Sequence, residues 1–332
     1  MTKKQLGFVA DPETLDEQDT FFLFVNEALR RPHLALYVFD IGDVDWKRKA
    51  SRVHAITRSV SHGARRTLLT KKQWMPLKNF DGLFLKKDPP LNAEFIRFLK
   101  FLKKERIHAV NDPEGILAMG TKAYLSHFKR IIPETFFTHD VESARAAIIH
   151  LKDAVLKQSD SYGGRAVMRV SCERNTFYDY HGSAKRRRTQ KQIDQKIQHF
   201  LKSSRDRTLL IVRYLPGAPV RGDKRVVVLD GTILGSYIRL PDPKSGVCVC
   251  ANQGARQSDP TARDQEIVQT IAPHLKKHGI ALAALDLLAD EQGVERLSEI
   301  NVVNPGFCNL HVVHPEYDVA KQVIDMIERR LG

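Results

Sequence analysis

Two short apolar segments near the C-terminus, residues 281–288 and 297–302, are interrupted by groups able to ligate a cation: Asp286 in the first, Glu299 and Asn301 in the second. Side chains alternate faces along a strand, so Leu297, Glu299 and Asn301 are expected on one face and Ser298, Ile300 and Val302 on the other. With residues 290–296 as the hairpin connection, Asp286 comes opposite that face and three oxygen ligands converge. Hard oxygen donors suit magnesium, which keeps several waters and also binds substrate phosphates. The alternative is a half-exposed antiparallel strand with incidental polar residues; the apolar residues on both faces favour two buried strands.

A second group surrounds Lys157. A strand-like stretch at 154–157 runs into a loop holding Gly163 and Gly164 and leaves through a strand-like 166–170. Glycines let the backbone approach phosphate oxygens closely, and a lysine at the strand end supplies a point charge for them. No Gly-Lys-Ser/Thr follows, so this is not a Walker loop, and a plain turn is the competing reading. The third group is Asp223-Lys224-Arg225, at the head of a hairpin signalled by Asp230-Gly231, with Arg239 leaving its far end. Arginine's planar fork holds two oxygens of a transferring phosphoryl group and stays charged. A two-residue turn would pair Leu229 with Thr232 and set Arg225 and Arg239 on opposite faces, so a shared site requires a bulge.

The elements that must position these groups change character along the chain. The first hundred residues alternate strand signals at 6–10, 34–39 and 82–85 with helix signals at 20–29 and 93–103, which implies an α/β unit with a mostly parallel sheet. Ligands of such sheets sit beyond the carboxyl ends of strands, where Asp11-Pro12 and the Lys86-Lys87-Asp88-Pro89-Pro90 segment would lie. A short helix at 121–128 and the break at Pro133-Glu134-Thr135 place the first domain boundary near residue 120. Later strands and hairpins are followed by a helix at about 265–277 ended by Gly279. Residues 181–192, dense in Gly, Ser and basic side chains, read as a solvated or disordered loop.

Length and composition bound the rest. At 332 residues, two or three compact units can enclose one long cleft. No apolar run approaches the roughly 20 residues that cross a bilayer, and the first residues lack a secretory pattern, so a cytoplasmic protein without membrane contact is expected. Cys172, Cys248, Cys250 and Cys308 are too scattered for a disulfide framework and read as free thiols. Cys308, His311 and His314 lack an evident fourth ligand and read as ordinary residues. The net charge of +14 implies attraction to polyanions or phosphorylated small molecules, with Lys185, Arg186, Arg187, Arg188 and Lys191 as its densest part.

The order of these features resembles bacterial glutathione synthetase across nearly the whole chain. The matching stretches are Lys86-Lys87-Asp88-Pro89-Pro90 with Glu94-Phe95-Ile96, the Lys122 helix, Pro133-Glu134-Thr135, Leu156-Lys157 with Gly163-Gly164, Tyr214-Leu215-Pro216, Gly222-Asp223-Lys224-Arg225, Leu285-Asp286 and Glu299-Ile300-Asn301-Val302. The resemblance implies an ATP-grasp fold, α/β and α+β, with ATP between two small α+β units behind an N-terminal parallel-sheet domain: residues 1–120 on the substrate side, 121–213 as the ATP-grasp lid and 214–332 as the catalytic subdomain. It further implies Lys122, Lys157, Gly163, Gly164, Tyr214 and Asp223 on ATP, Asp286, Glu299 and Asn301 on Mg2+, and Arg225 and Arg239 on an acyl phosphate. Lys86, Asp88, Asn252, Asn304 and Gly306 are expected near the small-molecule carboxylate and amine substrates.

The implied reaction phosphorylates a carboxylate, after which an amine attacks the acyl phosphate. Such chemistry needs stabilisation of moving negative charge rather than a nucleophilic side chain. The glycine loop departs from the family's Pro-Leu-Asp-Gly-Met-Gly-Gly, its Ala-Ala-Gly-Gly-Arg segment is replaced by residues 250–256, and its Val-Thr-Ser-Pro by residues 302–306. The leading substrates are γ-glutamylcysteine and glycine, with another amino-acid or peptide pair as runner-up. A polyanion-binding protein on an inactive ligase scaffold is the rival from a different class; retention of every phosphate and metal residue argues against it, and a nucleic-acid partner is not expected. The sequence leaves oligomeric state open, a homo-oligomer included.

Overall fold

The computed structural model describes residues 3–11, 20–46, 50–57, 69–164, 166–240, 254–307 and 310–331. Among these, three sheets follow one another along the chain. The first joins β1 (Lys4–Val9), β2 (Leu34–Phe39), β3 (Val44–Asp45), β4 (Ala50–Thr57), β5 (Leu69–Pro76), β6 (Gly82–Leu85) and β7 (Ala109–Val110), with β1 parallel to β2 and β6, and β6 parallel to β7. Crossover helices α1 (Thr20–Leu29) and α2 (Ala93–Glu105) give the expected α/β unit. Sequence reading missed the antiparallel β4–β5 hairpin, because its strands lack a clean apolar alternation. After α3 (Pro113–Met119), a 3-10 turn (Lys122–Phe128) stands where a short helix was expected.

The second sheet is antiparallel, in the order β12-β11-β10-β9-β13-β8: β8 (Thr135–Thr138), β9 (Asp153–Gln158), β10 (Val167–Glu173), β11 (Thr176–His181), β12 (Ala184–Arg188) and β13 (Leu209–Arg213). Its alternation sets the faces: Ala154, Leu156, Val170, Cys172 and Phe177 are buried under α4 (Val141–Leu151) and α5 (Gln190–Ser203), while Val155, Lys157 and Arg169 face away from those helices. The basic stretch expected to be a loop is corrected by the structure. Lys185 to Arg188 form the edge strand β12 against β11, braced by the Lys185–Glu173 and Arg188–Asp179 ion pairs. Charged side chains suit a sheet edge because they resist pairing with another chain.

The third sheet, also antiparallel, runs β16-β15-β14-β17-β18: β14 (Asp223–Leu229), β15 (Thr232–Arg239), β16 (Ala255–Gln257), β17 (Leu282–Ala289) and β18 (Glu295–Asn301), entered through α6 (Ala218–Arg221). It is buried on both faces. One core holds Val226, Val228, Leu285, Leu287, Leu297 and Ile300 with Ile267 and Ile271 of α7 (Ala262–Lys277); the other holds Val227, Leu229 and Tyr237 with Phe307 and Leu310, which opens α8 (Leu310–Val313). The last helix, α9 (Val319–Arg330), returns to the first unit and packs on α1, where Arg31 bonds Asp325 at 2.7 Å and Glu328 at 3.1 Å. No helix among the described residues is long and apolar enough to cross a membrane.

Candidate functional site

The third sheet gathers most of the charged candidates on one face, and two irregularities decide which. Leu229 pairs with Thr232 across the Asp230-Gly231 turn, as expected, but the register shifts between Val227 and Val228. Asp223 thereby lies opposite Arg239, and Arg225 opposite Tyr237. The bulge that a shared site requires is present. A second shift falls beside Asp286, which faces Glu299, while Leu287 faces Leu297 and leaves Ser298 as the extra residue. The expectation that Leu297 shares a face with Glu299 and Asn301 fails here, because an inserted residue inverts the alternation beyond it. Leu297 joins Ile300 in the core, and Ser298 turns to the cleft, where its Oγ accepts a hydrogen bond from Lys157 Nζ at 2.9 Å.

Asp286 is the hub of this face. Arg225 grips it with both arms of its fork, Nε at 2.8 Å and Nη2 at 2.9 Å, and donates through Nη1 to the Gly306 carbonyl at 3.2 Å. Arg239 lies 2.9 Å from the same carboxylate and also donates to Asp223; Asn301 Nδ2 reaches Asp286 at 3.1 Å. Burial alone would raise the pKa of Asp286, but the two guanidiniums outweigh it and hold the carboxyl well below the usual carboxylate range. Asp223 moves the other way: burial, then the charge of Asp286, push it up to about 7 despite Arg239 and Arg225. Of the two carboxylates sharing Arg239, Asp286 is therefore the one on which this face favours the negative charge.

Across the cleft, Lys157 stands one residue before the end of β9, on the face turned away from α4 and α5. Burial first, and Lys122 as well, lower its ammonium pKa against the pull of Glu299. Lys122 is buried, 3.2 Å from Glu299, and its ammonium donates to the Ser161 carbonyl. The loop between β9 and β10 takes positive φ at Gly163 (60°), Gly164 (70°) and Ala166 (52°), a backbone path that glycine follows without strain. A side chain at Gly163 would meet nothing within 4 Å, so the dihedral rather than crowding calls for glycine, and the space above it is open.

These pieces enclose a cavity of about 520 Å3 between the second and third sheets. Lys122, Lys157, Gly163, Gly164, Tyr214, Asp223, Arg225, Arg239, Asp286, Glu299 and Asn301 all line it, with Asp88, Asn304 and Gly306 at its wall. Lys86 stands just behind, its ammonium bonded to Asn304, whose amide also reaches Asp88. Asn252, like Cys248, Cys250 and Cys308, lies outside the described residues. His314 is fully buried and hydrogen-bonded to the Ser236 carbonyl at 3.1 Å, which fits a structural role. Sequence reading missed Ser298 and the apolar wall of Val155, Val212 and Leu288. Val155 and Val212 are cross-strand partners, and only pairing of the strands turns two ordinary valines into one surface.

A slot of this size, apolar on one side and lined with cations and carboxylates on the other, fits a nucleotide with its phosphates. The family model of the prokaryotic glutathione synthetase ATP-grasp domain matches residues 121–314, and that of the N-terminal domain of the same enzyme matches residues 5–116. The chain belongs to the prokaryotic glutathione synthetase family. Glutathione synthetase of Yersinia pestis is 27% identical over 340 residues, covering 99% of this chain and 98% of that protein. Glutathione synthetase of Escherichia coli K12 is 28% identical, covering 98% of each. Among solved structures, D-alanyl-alanine synthetase A from Vibrio cholerae superposes with a TM-score of 0.66 at 13% identity, over 100% of this chain and 99% of that one. That likeness speaks for the fold alone, which is the ATP-grasp fold. Family membership makes this protein an ATP-dependent carboxylate–amine ligase.

Proposed function

We propose that the protein joins γ-glutamylcysteine to glycine, forming glutathione at the expense of ATP, with the cavity between the second and third sheets as its active site. The observation that carries this reading is the convergence of Arg225, Arg239, Asp286, Glu299 and Asn301 on one buried face opposite Lys122 and Lys157. Glu299 offers a carboxylate, Asn301 turns its amide nitrogen to Asp286 and leaves its oxygen for a cation, and Asp286 would join them by releasing part of its arginine contacts. This donor set fits Mg2+, which would neutralise charge on the transferring phosphoryl group. Lys122, Lys157 and the backbone at Gly163 and Gly164 would hold the ATP phosphates, and Tyr214 and Asp223 would border the nucleotide.

The substrate carboxylate attacks the terminal phosphorus and ADP departs; the neutral amine then attacks the acyl carbon, the C–O bond to phosphate breaks, and the amine's proton leaves to phosphate or solvent. Each step moves negative charge, and Arg225 and Arg239 would supply positive charge beside it, so that no nucleophilic side chain is required. Lys86, Asp88, Asn304 and Gly306 would border the acceptor side. The altered segments at 302–306 and around Asn252 motivate the second reading, another amino-acid or peptide substrate pair. The substrates would be small molecules, and a reducing cytoplasm, which keeps thiols free, would suit them. Purified protein with ATP, Mg2+, γ-glutamylcysteine and glycine should release ADP, phosphate and glutathione in equal amounts, and chelation of Mg2+ should stop it. Phosphate release only with a different carboxylate and amine would favour the second reading.

A further inference from the structure

Arg169 takes no part in the site described above, yet three side chains hold it. It stands on β10 beside Val155, on the sheet face that carries Lys157. Its fork is closed by Asp153, with Nε 3.0 Å from Oδ1 and Nη2 2.6 Å from Oδ2. The guanidinium carbon lies 3.5 Å from the ring centre of Tyr214 and 4.2 Å from that of Tyr180. Two phenol rings thus flank one guanidinium whose hydrogen-bonding edge is pinned by a carboxylate. Tyr180 is anchored in turn, its hydroxyl 3.0 Å from Ser171 Oγ.

Asp153 holds both ends of this arrangement, because its carbonyl also accepts the backbone N–H of Tyr214 at 3.0 Å. Tyr214 is the first residue past β13, where the chain leaves the lid and runs through Leu215, Pro216 and Gly217 toward Asp223. Its ring lines the cavity together with Val155 and Val212. The stack therefore ties three lid strands to the residue at which lid and catalytic sheet join. A charge braced solely for solubility would need neither the aromatic faces nor the bidentate partner.

We infer that Arg169 is a positioning residue for the nucleotide: by stacking on Tyr214 while Asp153 holds its fork, it keeps the wall that Tyr214 forms with Val155 and Val212 in place before ATP arrives. Pre-forming a wall spares the ordering of a side chain on binding, so the benefit falls on nucleotide affinity rather than on phosphoryl transfer. Lysine cannot replace it fully, since an ammonium has neither the planar face for two rings nor the fork for Asp153. This inference rests on the proposed placement of ATP.

The test is steady-state kinetics on the full-length enzyme, with KM measured separately for ATP, the carboxylate substrate and the amine. Arg169→Ala should raise the KM for ATP about tenfold, Arg169→Lys and Tyr180→Ala about threefold, with kcat within about twofold and the other KM values unchanged. Thermal unfolding of each variant checks that the fold survives, and Arg169→Lys, which keeps the charge and most of the bulk, carries the test if the alanine variant does not fold. Lys157→Ala runs alongside as a probe of the site itself. If Lys157→Ala raises the KM for ATP and the Arg169 variants do not, or if they lower kcat alone, the positioning role is wrong. If Lys157→Ala also leaves nucleotide binding untouched, the placement of ATP has failed and takes the inference with it.

Discussion

Two strands that each carry a Lys-Arg pair, β12 and β14, have opposite fates in the fold. Lys185, Arg186 and Arg187 lie on an exposed sheet edge, where Lys185 pairs with Glu173 in water. Arg225, in the interior of a five-stranded sheet, is buried and fills its fork with Asp286. Exposed pairs of the first kind contribute roughly 0–1 kcal/mol, whereas removing one partner of a buried pair costs about 3–5 kcal/mol, because the other charge is left uncompensated. Density of charge in a sequence therefore does not locate a site. What locates it is the number of neighbouring strands that bury the charge.

The largest contrast should appear when each strand is disarmed. Asp286→Asn or Glu299→Gln is expected to lower kcat by about a thousandfold or more, because each removes charge from the proposed magnesium set. ADP production is the readout, and near-normal turnover in both variants would break the interior half of the comparison. Next comes Lys157→Ala or Lys122→Ala, expected to weaken ATP binding by about tenfold or more through loss of a phosphate-facing charge. Titration with ATP decides it, and affinity equal to that of the parent protein would remove these lysines from the phosphate path.

At the other end, replacing Lys185, Arg186 and Arg187 together by Ser should leave kcat within about twofold. Any rise in KM should vanish at high salt, since screening acts within about 8 Å at physiological ionic strength. A large loss of kcat that persists in salt would place β12 in the working site. Arg188 is left intact because it braces Asp179 at 2.9 Å.

The smallest expected effect concerns pH. His274 Nδ1 lies 2.9 Å from the Tyr124 hydroxyl, with the His127 ring centre 5.9 Å away. Burial, then His127, His278 and Lys277, lower its pKa. A histidine depressed in the folded state keeps its full stability above its unfolded pKa of about 6.5 and loses it as pH falls below that value. The melting temperature should therefore drop between pH 7.5 and 5.5, and His274→Gln should flatten the drop. An equal fall in both proteins would show that the acid sensitivity lies elsewhere.

The contrast between β12 and β14 also shows what the sequence could reveal. Asp286, Glu299 and Asn301 were legible because alternation within apolar strands leaves few explanations for an acid, and the need for a bulge followed from counting residues between Arg225 and Arg239. Leu297 and Ser298 were misassigned because the second bulge leaves no trace in residue type. The basic stretch at 185–188 reads as a loop because four cations in a row hide the period of a strand, which among the described residues pairs only with β11. Val155, Val212, Arg169 and Tyr180 acquire meaning only through cross-strand register, which local sequence does not encode.

The central claim is that the buried face around Asp286 carries an acyl-phosphate ligation, and oxygen transfer tests it most directly. γ-Glutamylcysteine labelled with 18O in its cysteinyl carboxylate should pass one labelled oxygen to each phosphate released with glycine and ATP, because the carboxylate oxygen that takes the phosphoryl group leaves with it. Released phosphate free of label, while the amide is still being formed, would contradict the account.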